Sequence, residues 1–348
     1  MEHRLIEETI LSIPPLDEKT QTKARHHVDN LTKPLGALGR LEEVVVRLAG
    51  MTGEIIPVID RKMTVVMCGD HGVVEEGVSA YPGDVTALMI QNFSRGKAAV
   101  NVLSRQFGAD VRVVDVGSRL EEAPPDVWVR KVRSGTANMA VGPAMTREEA
   151  EQAVKIGIDV AKQLKEEGVQ LVATGEMGIG NTTAASALAA VFTEREVSEV
   201  VGRGSGLDDT GLERKCRVVK EALRVNRPDP RDPLDALAKV GGLELAGLAG
   251  LVLGAASERL PIVVDGFIAT AAALTAVRMA PAAREYLLAS HLSQEPAHGW
   301  LLAELRLVPL IQAGMRLGEG SGAVLTFPLL DGAVATAREM ATFADLGL

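Results

Sequence analysis

The sequence predicts an α/β fold, a parallel sheet with helices on both faces, flanked by a small helical domain assembled from the N- and C-terminal segments. Two observations carry this. Beyond residue 60, short β-branched runs alternate with stretches of helical spacing, the rhythm of crossover units that lay successive strands parallel. At both chain ends the apolar residues recur at helical spacing instead. The expected partition is a large α/β domain over 61–291 and a small helical domain over 1–60 and 292–348.

The elements follow in order. DEKTQTKARHHVDNL reads as a helix ending before Pro34, because a proline drives the residue preceding it out of helical geometry. GRLEEVVVRLAGMTG has helical spacing and stops on glycine. Strands are expected at 63–68, 111–116, 169–174, 260–264 and 285–289, with helices between them. In TREEAEQAVKIGIDVAKQL, Thr146 caps the helix and Glu149, three residues on, completes a capping box. The stripe 268–277 reads as helix packing, and EREVSEVVGRG as a solvated face.

Composition excludes several classes of function. A chain of 348 residues with 47% apolar content supports a sizeable core. A net charge of −9 argues against nucleic acid, which needs clustered Lys and Arg to neutralise phosphates. Cys68 and Cys216 are far apart and lack partners at metal-ligand spacing, so neither a disulfide framework nor a zinc site is expected, and a reducing cytoplasm fits. The first residues, MEHRLIEETILSIPPLDEK, have charges where a signal peptide needs an apolar run. The run 245–257 is well short of the roughly 20 residues a bilayer requires, so no membrane partner is expected.

In an open parallel sheet, ligands bind beyond the carboxyl ends of the strands, where loop amides and helix N-termini converge. Each expected strand delivers polar residues to that rim: Asp70 and His71, Asp115, Gly175 and Glu176, Asp265, Ser290 and His291. Three glycine-rich turns add to them. GEMGIGNTT precedes a helix, so its amides (Gly178, Gly180, Asn181) and the hydroxyls of Thr182 and Thr183 suit an anion. It is not a Walker A loop, for Asn181 stands where that motif needs lysine, and the dinucleotide GxGxxG fingerprint is missing. GRGSGLDD, with Gly204 and Ser205, is followed by Lys215, which together suit a single phosphate. No acid pair follows a strand as a magnesium–pyrophosphate site would need, and Asp208 serves equally well as a helix cap, so neither metal nor cofactor is expected. In RLGEGSGAVLTF, Glu319 lies between glycines and beside Leu317. Burial there would raise its pKa into the range of a useful base, whereas an exposed loop would leave it solvated. Asp70 and His71 read as a hydrogen-bonded structural pair, since no GxSxG elbow accompanies them. His291 and His298 have no identifiable metal partners.

Taken together, LTKPLGALGRLE, CGDHGVVEEGVSAYP, ATGEMGIGNTTAASAL, GRGSGLDD, DGFIATAAALTA, SHLSQEP and RLGEGSGA resemble the nicotinate-nucleotide:dimethylbenzimidazole phosphoribosyltransferase family, CobT, in one unbroken order. The resemblance implies a homodimer with a Rossmann-like large domain. It implies transfer of phosphoribose from nicotinate mononucleotide to 5,6-dimethylbenzimidazole, giving α-ribazole 5'-phosphate and nicotinate. By matched motifs, Glu319 is the general base, Glu176 a second active-site carboxylate, Lys215 a phosphate ligand, and Ser79 a neighbour of the benzimidazole pocket. For Glu176, stabilisation of a ribose cation is one reading and a hydrogen bond that pins its loop the other. The chain departs from the family pattern at Lys97, at Ala297, and at Leu88, where a glutamine is usual beside the base pocket. Without the resemblance, the residues suit an α/β nucleotide-binding protein of unknown reaction, with a non-catalytic nucleotide-binding or regulatory protein as the alternative; an NAD-dependent dehydrogenase is disfavoured by the missing fingerprint.

Overall fold

The computed structural model describes residues 4–347. Among them, six strands form one sheet: β1 (Lys62–Gly69), β2 (Ala109–Gly117), β3 (Trp128–Val129), β4 (Leu171–Met177), β5 (Ile262–Val264) and β6 (Leu287–Ala289). The spatial order is β3-β2-β1-β4-β5-β6 and every neighbouring pair is parallel. The chain therefore winds outward from β1 in one direction and from β4 in the other, the Rossmann-like arrangement. Every residue of β1 is buried, as befits a central strand covered on both faces.

One strand, β3, was not expected, and the five expected strands recur with one or both ends shifted by one to three residues. The edge strand β3 has only a two-pair ladder, Val114 with Trp128 and Asp115 with Val129, too short to leave a periodic signal. β4 extends through Glu176 to Met177 because β1 continues beside it, Met67 opposite Glu176 and Cys68 opposite Met177. β6 starts at Leu287, since Pro281–Tyr286 forms a 3-10 turn.

Opposite faces of β1 meet different partners. Met67 and Gly69 face the helix Leu243–Ser257, whereas Thr64 and Val66 face the turn around Glu319 and Gly320. The helix Leu243–Ser257 is buried from Leu243 through Ala256, and its glycines let the capped helix Arg147–Glu166 cross it backbone to backbone. A Cβ on Gly250 would lie 1.9 Å from the Val154 carbonyl oxygen, and one on Gly157 would lie 1.9 Å from that of Gly247. The capping box is present as read: the Glu149 amide donates to Thr146 Oγ1 at 3.1 Å and the Thr146 amide to Glu149 Oε2 at 2.8 Å.

The chain ends pack together. The helix Glu18–Asp29 lies against Arg40–Thr52, which in turn lies against Phe327–Glu339. Backbone bonds stitch them, Thr32 N to Ala341 O at 3.0 Å and Phe343 N to Asn30 O at 2.9 Å. The first helix, Leu5–Ser12, packs instead against Arg147–Glu166 and Leu243–Ser257. Among the described residues, no helix is long and apolar enough to cross a membrane.

Candidate active site

Beyond the carboxyl ends of β1, β4, β5 and β6 lies a cavity of about 700 Å³. It adjoins the β1/β4 boundary, where the winding direction reverses and open α/β sheets bind ligands. The loop after β1 contributes Ser79, Tyr81, Val85 and Met89; the turn after β4 contributes Gly178 through Thr182; the helix after β5 contributes Phe267, Ile268 and Ala269.

One wall is acidic. Glu176, near the end of β4, is buried, with Oε1 accepting from the Glu319 amide at 3.3 Å and Oε2 bonded by Asn181 Nδ2. Glu319 has a positive φ of 64° between Gly318 (85°) and Gly320 (92°). Such a backbone costs a residue with a side chain on the order of 1–3 kcal/mol unless its surroundings hold it. They do: besides the bond from Glu176, Asp265 accepts from the Gly320 amide at 3.1 Å and the Ala323 amide at 2.9 Å. The Glu319 side chain is 7% exposed and accepts from the Val100 amide at 3.4 Å. Burial pushes its carboxyl above the ordinary glutamate range, the Val100 amide opposing and the Asp265 charge adding. Burial, reinforced by Asp265, pushes Glu176 up to about 8 against the pull of the Asn181 amide. Asp265 is itself raised by burial, with His291 at 3.9 Å and the loop amides opposing.

The turn at 202–206 forms another part of the wall, next to Thr182. Gly204 has φ 51°, and its amide donates to Glu295 Oε1 at 2.9 Å while its carbonyl accepts from Arg316 Nη1 at 3.2 Å. Lys215 is fully buried behind this turn, donating to Thr182 Oγ1 at 2.8 Å and to the Gly202 carbonyl at 3.2 Å. Burial pushes it down to about 8, with Glu295 opposing. Ser205 Oγ lies 3.2 Å from Ser79 Oγ and accepts from the Ala80 amide at 3.0 Å, tying the two loops together.

Of the residues expected at the site, Ser79, Glu176, Gly178, Gly180, Asn181, Thr182, Gly204, Ser205, Asp265, Leu317 and Glu319 line the cavity. Others do not. Gly175 lies under the Glu319 backbone, where a Cβ would come within 2.4 Å of its carbonyl oxygen. Ser290 faces inward, donating to the Val264 carbonyl at 2.7 Å. Lys215 stands behind the wall, and in the turn read together with it the Gly204 amide is bonded to Glu295. The stripe 268–277 is not wholly packing, because Ile268 and Ala269 reach the cavity. Leu88 is 61% exposed and outside the cavity lining; Val85 and Met89, one helical turn apart, line the cavity instead. Asp70 accepts from the Arg119 amide at 2.7 Å, and His71 Nε2 lies 2.7 Å from Glu244 Oε1, in keeping with structural roles. Asp208 caps its helix through the Gly211 amide at 2.7 Å. His291, expected at the rim, lines the cavity, and Ser293, Glu295 and Arg316 line it without having been anticipated there. His291 does follow a strand end, whereas the others sit on irregular segments whose path no local pattern encodes. Among the described residues, no group of three or more His, Cys, Asp or Glu is placed to hold a metal ion.

A buried acid pair and two adjoining glycine-rich turns lining one cavity, at the switch point of a doubly wound sheet, define an α/β enzyme for a phosphorylated nucleotide. The sequence comparisons carry this further. A family model described as phosphoribosyltransferase matches residues 13–348. The chain is 53% identical over 345 residues to the nicotinate-nucleotide–dimethylbenzimidazole phosphoribosyltransferase of Desulforudis audaxviator, covering 99% of this chain and 98% of that one. It is 51% identical over 339 residues to the enzyme of the same name from Ruminiclostridium cellulolyticum, covering 97% and 96%. The crystal structure of the Thermus thermophilus phosphoribosyltransferase matches with a TM-score of 0.90 at 48% identity, over 95% of this chain and 99% of that one. The chain belongs to the nicotinate-nucleotide–dimethylbenzimidazole phosphoribosyltransferase family.

Proposed function

We infer that this protein transfers 5-phosphoribose from nicotinate mononucleotide to 5,6-dimethylbenzimidazole, giving α-ribazole 5'-phosphate and nicotinate. The observation that carries this reading is the buried Glu319 carboxyl, raised by desolvation and held on a rim shared by the loops of four strands. The chemistry calls for one base and no acid. The nicotinate ring nitrogen is already a pyridinium, so as its bond to ribose C1' breaks it leaves as a neutral pyridine. The incoming benzimidazole forms its bond to C1' through one ring nitrogen while the other still bears hydrogen. Glu319 takes that proton, so charge does not accumulate on the base. The substrate is β-linked and the product α-linked, so the two rings occupy opposite faces of the ribose, and the reaction requires a cavity that takes both.

The remaining roles follow from position. Val85, Met89 and Leu317 offer apolar surface to an aromatic base, with Ser79 beside them. The turn from Gly178 to Thr182 and the ammonium of Lys215 behind it suit the phosphate end. For Glu176 the pinning role is the better supported: its carboxyl is mostly neutral at pH 7, which weakens it as a counter-charge for a ribose cation, while both oxygens are engaged by Asn181 and the Glu319 amide. A cytoplasmic setting suits the two free cysteines, and the net charge of −9 suits a small-molecule partner better than nucleic acid. We propose a homodimer, on the family resemblance.

Nicotinate release from nicotinate mononucleotide, followed by chromatography with and without dimethylbenzimidazole, tests the reading. Release that depends on the base is expected. Release at the same rate without base would indicate a hydrolase, and nucleotide binding without release would indicate a binding module.

A further inference from the structure

We propose that Glu295 is a positioning residue for the phosphate side of the cavity: it holds the turn of residues 202–205 in place, together with Lys215 behind it, and so sets nucleotide affinity without entering the chemistry. This rests on the nucleotide-transfer reading above, in which the phosphate end lies at the turn Gly178–Thr182; Lys215 joins that turn to the one at 202–205 through Thr182 and Gly202.

The geometry is a grip from several directions. Glu295 is 8% exposed in the cavity wall, and its Oε1 accepts from the Gly204 amide at 2.9 Å. Its Oε2 is buried with no hydrogen-bond donor among the described residues and is aimed at Gly202, where a Cβ would lie 1.9 Å away. The carboxylate is thus turned toward the turn and away from the space a nucleotide would fill. Lys215 holds the same turn through the Gly202 carbonyl at 3.2 Å, and Arg316 through the Gly204 carbonyl at 3.2 Å. A buried carboxylate oxygen without a donor is costly, which makes the nearby ammonium its natural counter-charge.

Glu295 is itself fixed to the core. Its amide donates to Ser293 Oγ at 3.3 Å, and its carbonyl accepts from the His298 amide at 3.1 Å. His298 Nδ1 accepts from the Ser293 amide at 2.8 Å, which leaves the ring proton on Nε2 to donate to Thr270 Oγ1 at 3.0 Å. Burial holds His298 down at about 3, so this neutral tautomer persists across the working range of pH. Bonds therefore run from the buried helix Phe267–Met279 through His298 and Glu295 to Gly204.

The titratable groups acting on Lys215 are Glu295 and, from its own helix, Cys216, both of which favour its charged form against burial. Removing the Glu295 charge leaves Lys215 readier to lose its proton. The test uses the full-length protein and two variants, Glu295→Gln and Glu295→Ala, with nicotinate mononucleotide affinity measured by calorimetry at about pH 6.5 and about pH 8.5 alongside kcat and KM. Glu295→Ala removes the acceptor for Gly204 and should weaken nucleotide binding on the order of 10- to 100-fold at both pH values, with kcat at saturation little changed. Glu295→Gln keeps an acceptor but not the charge, so it should bind nearly as wild type at the lower pH and clearly more weakly at the higher. A merely structural role would not produce that pH split, and Glu295→Gln decides the matter alone if the alanine variant does not fold. Wild-type affinity in both variants at both pH values, or a loss confined to kcat, would overturn the proposal. Wild-type protein that binds the nucleotide but releases no nicotinate in the presence of base would refute the transferase reading and leave this inference to be judged by affinity.

Discussion

Glu319 shows how much of a site can rest on one unfavourable backbone conformation. Its positive φ lifts the side chain out of the turn toward the cavity, and the strain is offset by bonds from Glu176 and Asp265 to three nearby amides. The residue stood out in the sequence because it is an acid between glycines. Its burial did not, because the groups that cover it, Val100 and the end of β4, lie far off in the chain. Glu176 carries a consequence for stability. Its carboxyl is raised from 4.5 to about 8 in the folded protein, so the native state keeps a proton that the unfolded chain has already lost over that interval. The stabilisation linked to that proton is complete below about pH 4.5 and fades as pH rises toward about 8. Glu176→Gln should flatten this slope, and urea denaturation at several pH values between these limits would show it. An unchanged slope would mean that Glu176 ionises normally.

At the scale of elements, legibility followed length and continuity. β1 was readable as a nearly continuous apolar run because it is buried on both faces, and β2 by the valines at 111, 113, 114 and 116. β3 was not readable, since two residues on an edge carry no period, and the far end of β4 was hidden because a glutamate in a glycine-rich stretch looks like the start of a turn. The glycines of GLAGLVLG were visible in the sequence, but their purpose was not. They allow the helices Leu243–Ser257 and Arg147–Glu166 to touch through their backbones. Gly250→Ala should therefore cost about 1–3 kcal/mol of stability, because a methyl group 1.9 Å from the Val154 carbonyl oxygen forces the helices apart. A wild-type denaturation midpoint in that variant would show that the crossing yields at no cost.

For the molecule as a whole, the reversal of winding between β1 and β4 decides where ligands go. The strand-end rule located the cavity and brought Glu176, Asp265 and His291 to it, because parallel strands all point their carboxyl ends to one rim. It missed Ser293, Glu295 and Arg316, which are brought in by the irregular segment after β6 and by the approach to Glu319, paths set by tertiary packing alone. Lys215, suggested as a phosphate ligand by its glycine-rich turn and by the family resemblance, lies one layer behind the cavity lining, holding Thr182 and Gly202. Lys215→Ala should accordingly raise the KM for nicotinate mononucleotide more than it lowers kcat, by loss of both long-range charge and loop order. Steady-state kinetics at saturating base would reveal an unaltered KM if the lysine has no such role.

The most direct measurement is the turnover of Glu319→Gln set beside its affinity for nicotinate mononucleotide. Glutamine matches the volume of glutamate and its capacity to accept from Val100, but cannot remove a proton from the incoming base. Turnover should fall on the order of 10²- to 10⁴-fold while nucleotide affinity stays within about twofold of wild type. Undiminished turnover in that variant would contradict the assignment of Glu319 as the general base.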